Sequence, residues 1–197
     1  MDEAIENIRR FVKDSFSDRG SHGLDHVLRV ASLCELIGRE EHADRKILIP
    51  AALFHDIGRP EEKDRGIPHE EAGARIADNY LRGAGYAEDD IGQIVHAIRT
   101  HRYRSQKRPE TLEAQILSDA DKLDAMGAVG IARTFLRAGE HNGGIKDAVD
   151  HMHDKLLKLT DLMYTGTAKR LAGERHRFLC MYLEHLALET DMPESGR

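Results

Sequence analysis

The chain has 197 residues, of which 40% are hydrophobic, and its 35 acidic residues outnumber its 29 lysines and arginines. This composition excludes a disordered or fibrous chain, and the length allows one sizeable core. No run approaches 18 consecutive apolar residues, so we expect neither a transmembrane helix nor a membrane partner. The two cysteines, Cys34 and Cys180, form no CxxC motif, and no apolar leader opens the chain. We therefore expect a cytoplasmic protein without disulfides.

The net charge of −6 argues against binding to duplex DNA, which needs a dense basic surface. One run is locally basic, HRYRSQKR at 101–108, and we interpret it as a solvated loop. Twelve histidines stand beside no tryptophan and only five tyrosines. Because histidine is the commonest metal ligand in proteins, the positions of these histidines are the informative feature of the sequence.

Apolar residues recur at intervals of three and four along nearly the whole chain, as in Ile5, Ile8 and Val12, which predicts helices rather than strands. Breaks such as Gly58-Arg59-Pro60 and Gly66-Ile67-Pro68 separate the helices. About eight helices are predicted, over 2–17, 22–42, 45–57, 69–83, 88–101, 110–126, 128–139 and 145–190, the last split near Thr165-Gly166. The sequence thus predicts one all-α domain over 1–192, with its core over 20–140, helices over 145–190 packed on that core, and a tail at 193–197.

A histidine and an aspartate follow the apolar segment Ile47–Phe54 directly, in AALFHDIGRP at 51–60. Burying His55 and Asp56 at the end of a core segment is costly unless the two side chains share a compensating partner. A metal ion would be such a partner. The alternative is a pair that caps a helix C-terminus, where histidine is favourable and aspartate opposes the helix dipole.

Two further polar residues lie on apolar helix faces. His26 precedes Val30 by four residues and so shares the buried face of its predicted helix, where a lone histidine is usually a satisfied core residue. Asp121 lies four residues after Leu117, on an inner face, and could pair there with a buried lysine or arginine. Taken together with His55 and Asp56, they instead indicate a mixed nitrogen and oxygen site for a divalent ion.

The order His26, His55-Asp56, Asp121 resembles the H…HD…D signature of the HD-domain superfamily of metal-dependent phosphohydrolases. The flanking sequences resemble the small stand-alone YedJ/YpgQ-like members over about residues 20–190; they are HGLDHVLRV, LFHDIG, LSDADKLDAMGAVGIAR, HDKLLKLTDLMYT and RHRFLCMYLEHL. The resemblance implies an all-α HD-domain bundle in which His26, His55, Asp56 and Asp121 bind one divalent ion, which could be Mn, Mg, Fe, Ni or Zn. Asp119 and Asp124 flank the last ligand and are left out of the ligand set.

Further histidines resemble those of superfamily members that hold two metals. His69 opens the segment PHEEAGA, and His101, in IVHAIRTH, continues the apolar stripe of Ile94 and Ile98. They are candidates for a second metal or for phosphate binding, and we expect one ion rather than two. His96 is a candidate acid for the leaving oxygen. The other histidines are expected at the surface or between helices; they are His22, His42, His141, His151, His153, His176 and His185.

Phosphoryl transfer also needs cations around the developing negative charge. The candidates are Arg59, Lys122 as a catalytic residue, and Lys155 and Lys158 as phosphate-binding residues. Asp56 is a candidate both to bind the metal and to orient the attacking water.

The resemblance implies a metal-dependent phosphohydrolase acting on a nucleotide or another small phosphate ester, such as a deoxynucleoside triphosphate pyrophosphohydrolase. Release of phosphate from a nucleoside monophosphate and phosphodiester cleavage are further possibilities within the superfamily. A di-iron HD-type oxygenase and a non-catalytic nucleotide sensor are the alternatives. The expected assembly is a monomer or a homodimer.

Overall fold

The computed structural model describes residues 2–16, 23–102 and 107–190, and this part of the chain is all-α with no strand, as predicted. Its helices are α1 Asp2–Ser15, α2 Leu24–Glu40, α3 Arg45–Phe54, α4 Arg59–Arg65, α5 His69–Gly83, α6 Glu88–Thr100, α7 Leu112–Asp124, α8 Gly127–Glu140, α9 Ile145–Asp154, a 3₁₀ helix Leu156–Leu162 and α10 Gly166–Thr190. Within these ranges no helix is long and apolar enough to cross a membrane. The predicted tail, His22 and the centre of the basic run at 103–106 lie outside the described residues.

Helix α4 occupies a segment that the sequence analysis interpreted as two breaks. Pro60 lies in its first turn, where a proline costs no helical hydrogen bond. Gly66 ends it with φ 70°, a left-handed conformation that glycine adopts without strain. The two breaks are therefore the boundaries of a seven-residue helix rather than a continuous loop.

The C-terminal part divides twice. A break precedes α10 at Gly166, where the sequence predicts it, and a second one falls at Lys155 (φ −127°, ψ −57°). Between them lies the 3₁₀ helix, so the predicted helix over 145–190 consists of three elements.

Helix α3 lies at the centre of the described domain, and every residue from Ile47 to Phe54 is buried. It packs against α2, α6 and α7, with α1 covering a further face. Helices α5 and α6 pack on each other, and α10 lies across α7 and α8. Because α3 ends in the interior, the residues that follow it, His55 and Asp56, enter the core where α2, α6 and α7 converge.

Candidate metal centre

The four predicted metal ligands converge from three separate parts of the chain. The Nε2 atom of His26, on α2, lies 3.3 Å from His55 Nε2. The same atom lies 3.5 Å from Asp56 Oδ2 and 3.4 Å from Asp121 Oδ1 on α7. Each pair is close enough for both atoms to bind one ion at the usual bond length of about 2 Å. The geometry therefore fits the N/O ligand set that the sequence predicts.

The opposite nitrogen of each of these imidazoles is held by an oxygen. His26 Nδ1 lies 2.8 Å from Asp124 Oδ2, and His55 Nδ1 lies 2.7 Å from the carbonyl oxygen of Ala52. Both acceptors can only receive a hydrogen bond, so Nδ1 carries a proton and Nε2 is the nitrogen left to present its lone pair to a bound ion. This is the arrangement by which proteins orient histidines that bind metals.

Two more histidines face the other oxygen of Asp56. His69 Nε2 lies 3.4 Å and His101 Nε2 3.8 Å from Asp56 Oδ1. Their Nδ1 atoms are again held by oxygens, Glu62 Oε2 at 2.8 Å for His69 and the Ile98 carbonyl at 2.6 Å for His101. All four imidazoles therefore point Nε2 toward Asp56 or the atoms around it.

The side chains of the centre are buried, and their polar atoms need a cation. The side chains of His26, His55, Asp56, His69 and His101 are at most 1% exposed. His69 Nε2 is buried and has no hydrogen-bond partner in the described part of the chain. A buried nitrogen lone pair without a donor is costly, and a divalent ion bound by these imidazoles and carboxylates would satisfy it. The residues present therefore fit the metal that the family resemblance implies.

The metal-free electrostatics show the same demand for positive charge. Burial favours the neutral form of His26, but three surrounding carboxylates outweigh it and raise its pKa to about 10. Burial also opposes ionisation of Asp121, yet the bond with protonated His26 holds its pKa well below the ordinary value. His55 has no such partner, so burial lowers its pKa to about 3.

A cavity of about 230 Å³ opens onto this centre beside Asp121, whose side chain is 25% exposed. His69 and His101 form part of its floor. Its walls carry six cationic side chains, those of Arg59, Arg102, Lys122, Arg133, Arg137 and Lys155. Three of them, Arg59, Arg102 and Arg133, are also ion-paired with carboxylates. The site therefore combines a cluster that attracts a cation with walls that attract an anion.

Comparison with known proteins agrees with this geometry. A family model described as the HD domain matches residues 23–126, about half of the chain. The chain belongs to the HD-domain family. It is 37% identical over 199 residues to the protein YpgQ of Bacillus subtilis strain 168, with 95% of this chain and 93% of that protein aligned.

Solved structures of HD-domain proteins superpose on most of the chain. The crystal structure of B. subtilis YpgQ in complex with ADP is 35% identical and covers 96% of this chain and 98% of its own, with a TM-score of 0.79. An HD-superfamily hydrolase from Bacillus thuringiensis is 31% identical, with 98% and 99% coverage and a TM-score of 0.79. The chain therefore has the fold of HD-superfamily hydrolases.

We call the cluster of His26, His55, Asp56, His69, His101 and Asp121 the HD centre. Two of the predicted site residues do not lie at it. His96 lies on another side of α6 from His101, and its Nε2 accepts a hydrogen bond from the backbone N–H of Glu110. Lys158 is exposed and does not line the cavity, whereas Lys155 does. The helical conformation is interrupted at Lys155, so the rule that residues three apart share a helix face does not apply to Lys155 and Lys158.

Lys122 is 6% exposed and sits at the edge of the cavity. Its Nζ donates to the hydroxyl of Ser118 at 2.6 Å and to the Ser118 carbonyl at 3.1 Å. Burial lowers its pKa. The structure thus places Lys122 at the edge of the cavity, with its ammonium group held by Ser118 of the same helix.

Several residues around the HD centre were not predicted from the sequence. Asp124 accepts hydrogen bonds from His26 and from two arginines, Arg29 and Arg133. Glu62, on the unpredicted helix α4, orients His69. His151 lines the cavity instead of lying only at the surface or between helices. A signal for Asp124 is present in hindsight, because it lies three residues after Asp121 and so near it on α7.

Proposed function

We propose that the protein is a metal-dependent phosphohydrolase that cleaves a nucleoside triphosphate between its α and β phosphates, releasing a nucleoside monophosphate and pyrophosphate. The observation that carries the proposal is the contact between the buried ligand cluster and a small cavity with six cationic side chains. The related protein YpgQ has been crystallised with ADP, which supports a nucleotide as the ligand.

The residues that would hold the ion are His26, His55, Asp56 and Asp121. A divalent ion bound there lowers the pKa of a water molecule and polarises a phosphoryl oxygen. The chain contributes the orientation of these ligands, through the oxygens that hold the Nδ1–H groups of His26 and His55.

Asp56 is placed to serve two cation positions. One of its carboxylate oxygens faces His26, and the other faces His69 and His101. We infer that His69, His101 and Asp56 hold a second ion. The sequence alone favours a single ion, because similar stand-alone proteins do not all keep these histidines; the shared carboxylate of Asp56 is what supports a second one.

The cationic walls bind the phosphates. Arg59 lies 3.0 Å from Asp56 Oδ2, so its guanidinium is fixed next to the ligands by an ion pair. Lys155, which directly precedes the 3₁₀ helix, lines the same cavity. Positive groups held in place before the reaction stabilise the negative charge that develops on the phosphoryl oxygens. In-line attack by water then breaks the bond between phosphorus and the bridging oxygen.

The two alternatives to hydrolysis make different demands on the cavity. An HD-type oxygenase would use the same histidines but has no need of six cations around a small organic substrate. A nucleotide sensor would use the cations but has no need of oriented metal ligands. Both features are present together, which supports phosphohydrolysis.

The test is a metal analysis followed by a release assay. Purified protein loaded with Mn²⁺ should hold about two ions per chain, and it should release pyrophosphate from at least one deoxynucleoside triphosphate. EDTA should abolish release, and Asp121→Ala should remove the first ion together with the activity. A protein that binds metal but consumes dioxygen, or binds nucleotide with no turnover in a broad screen, would overturn the proposal.

A further inference from the structure

A second cavity, of about 550 Å³, lies beside the one at the HD centre. It is lined by Lys122 and by the segment 161–164, which contains the end of the 3₁₀ helix and the two residues after it. Lys122 lines both cavities, and Leu159 of the 3₁₀ helix lines the first. The two cavities are therefore neighbours that share the Lys122 side chain.

The second cavity offers an aromatic ring. Tyr164 is 43% exposed, and its ring centroid lies 5.0 Å from Lys122 Nζ, which is within the range of a cation–π contact. Leu162, 40% exposed, adds apolar surface beside the ring, and the buried Met163 also lines the cavity. An exposed aromatic side chain next to a cation is a surface on which a nucleobase can stack.

The backbone that carries the Tyr164 ring is fixed by hydrogen bonds. The fully buried carboxylate of Asp119, on α7, accepts hydrogen bonds of 2.9 Å from the backbone N–H groups of Tyr164 and Thr165 and from the Thr165 hydroxyl. Asp119 is two residues before Asp121 on the same helix. One helix therefore fixes both a metal ligand and the backbone that carries the ring.

The first cavity is suited to phosphates and not to a nucleoside. It is small, its walls are cationic, and no phenylalanine or tyrosine of the described chain lines it. Its two floor histidines, His69 and His101, face Asp56. A nucleotide whose phosphates fill this cavity must place its nucleoside outside it, and the neighbouring cavity at Lys122 is more open and partly apolar.

We propose that Tyr164 stacks on the nucleobase of the substrate, with Lys122 at the junction between the nucleoside and phosphate subsites. This inference rests on the proposed function for the identity of the reacting phosphates. Because stacking is available to every base, the subsite should distinguish nucleotides from base-free polyphosphates strongly and one base from another only modestly.

The kinetic test compares dATP with inorganic triphosphate, which has no base. Tyr164→Leu removes the ring and should raise KM for dATP by about 5- to 150-fold, the loss expected for one stacked base. It should leave KM for inorganic triphosphate unchanged, and Tyr164→Phe should behave as the parent protein. Phe178→Leu is the matched control, since it removes an aromatic residue of similar exposure, 40%, that lines neither cavity.

A binding test is independent of turnover. The chain has no tryptophan, so Tyr164→Trp introduces a single tryptophan, whose fluorescence can be excited selectively, into the proposed subsite. A non-hydrolysable α,β-methylene analogue of dATP should quench its fluorescence, whereas inorganic triphosphate should not. Phe178→Trp should show no quenching with either compound.

The outcomes separate this proposal from the proposed function. Quenching by the nucleotide analogue without any hydrolysis would support the subsite and refute the hydrolase. Hydrolysis of dATP combined with no quenching, or with an equal effect of Tyr164→Leu on both substrates, would refute the subsite and leave the hydrolase standing. Should Tyr164→Leu fail to fold, the fluorescence of Tyr164→Trp and the KM of Tyr164→Phe still decide the question.

Discussion

Replacement of Asp124 by asparagine isolates the contribution of a residue that lies outside the proposed ligand set. Asp124 is 2% exposed and accepts hydrogen bonds from His26 Nδ1 at 2.8 Å, Arg29 Nε at 2.8 Å and Arg133 Nη1 at 2.6 Å. Asparagine has nearly the same shape but only one acceptor oxygen and no charge. The variant therefore keeps the packing and removes the charge that fixes the His26 ring.

Two separate losses are expected. Carboxylates that orient metal-binding histidines typically contribute 10- to 100-fold to metal affinity, about 1.4–2.7 kcal/mol. The free energy of unfolding should also fall by about 1.5–3 kcal/mol, the usual value of a hydrogen bond to a charged group. The Arg29 side chain is 31% exposed and can turn to water, whereas the Arg133 side chain is only 13% exposed, so we expect the loss toward the upper end of this range.

Metal affinity is measured by competition with a chromophoric chelator, and stability by urea unfolding in EDTA. Asp119→Asn is the matched control, because Asp119 is a buried carboxylate on the same helix that accepts its hydrogen bonds from Tyr164 and Thr165 rather than from His26. It should lower stability and leave metal affinity within about twofold. If Asp124→Asn keeps full metal affinity, or if both variants lose it equally, the reasoning is refuted.

Three further predictions concern the ligands and the cationic walls. The pKa of metal-free His26 is raised to about 10, so an ion that binds this side chain must displace its proton. Metal affinity should therefore fall as the pH falls. Calorimetry in buffers of different ionisation enthalpy should show that binding of the first ion releases about one proton at pH 8. His69→Ala and His101→Ala should each lower metal content by about one ion while the first ion stays, and unchanged content with reduced activity would mean that these side chains only position the phosphates. Lys155→Ala should lower kcat/KM by about 10- to 150-fold, the loss of one charge-assisted phosphate contact, whereas the exposed Lys158→Ala should not; equal effects would contradict the placement of the two lysines.

The convergence of His26, His55, Asp56 and Asp121 could be predicted because each is marked by its own neighbours. His26 and Asp121 interrupt apolar faces with helical spacing, and His55-Asp56 follows a segment that is buried throughout. A polar residue on such a face needs a partner whatever the tertiary structure, so the local pattern carries the information.

The surrounding residues could not be predicted because their roles depend on how helices pack. Asp124 and Arg29 are 95 positions apart in the chain, and only the packing of α2 on α7 brings them together. Glu62 reaches His69 because α4 folds between two glycine- and proline-containing breaks that read as loop. His96 shows the converse, since its position five residues from His101 directs it to another side of α6.

The structure places two opposite electrostatic demands within one site. The histidines and carboxylates around Asp56 are buried and need a cation, while the adjoining cavity carries six cationic side chains and attracts an anion. A metal ion alone would satisfy the first demand and would add to the positive charge facing the cavity. A phosphate alone would satisfy the second and leave His69 Nε2 without a partner. Metal and phosphate together satisfy both, so each should bind more tightly in the presence of the other, by the same factor in both directions.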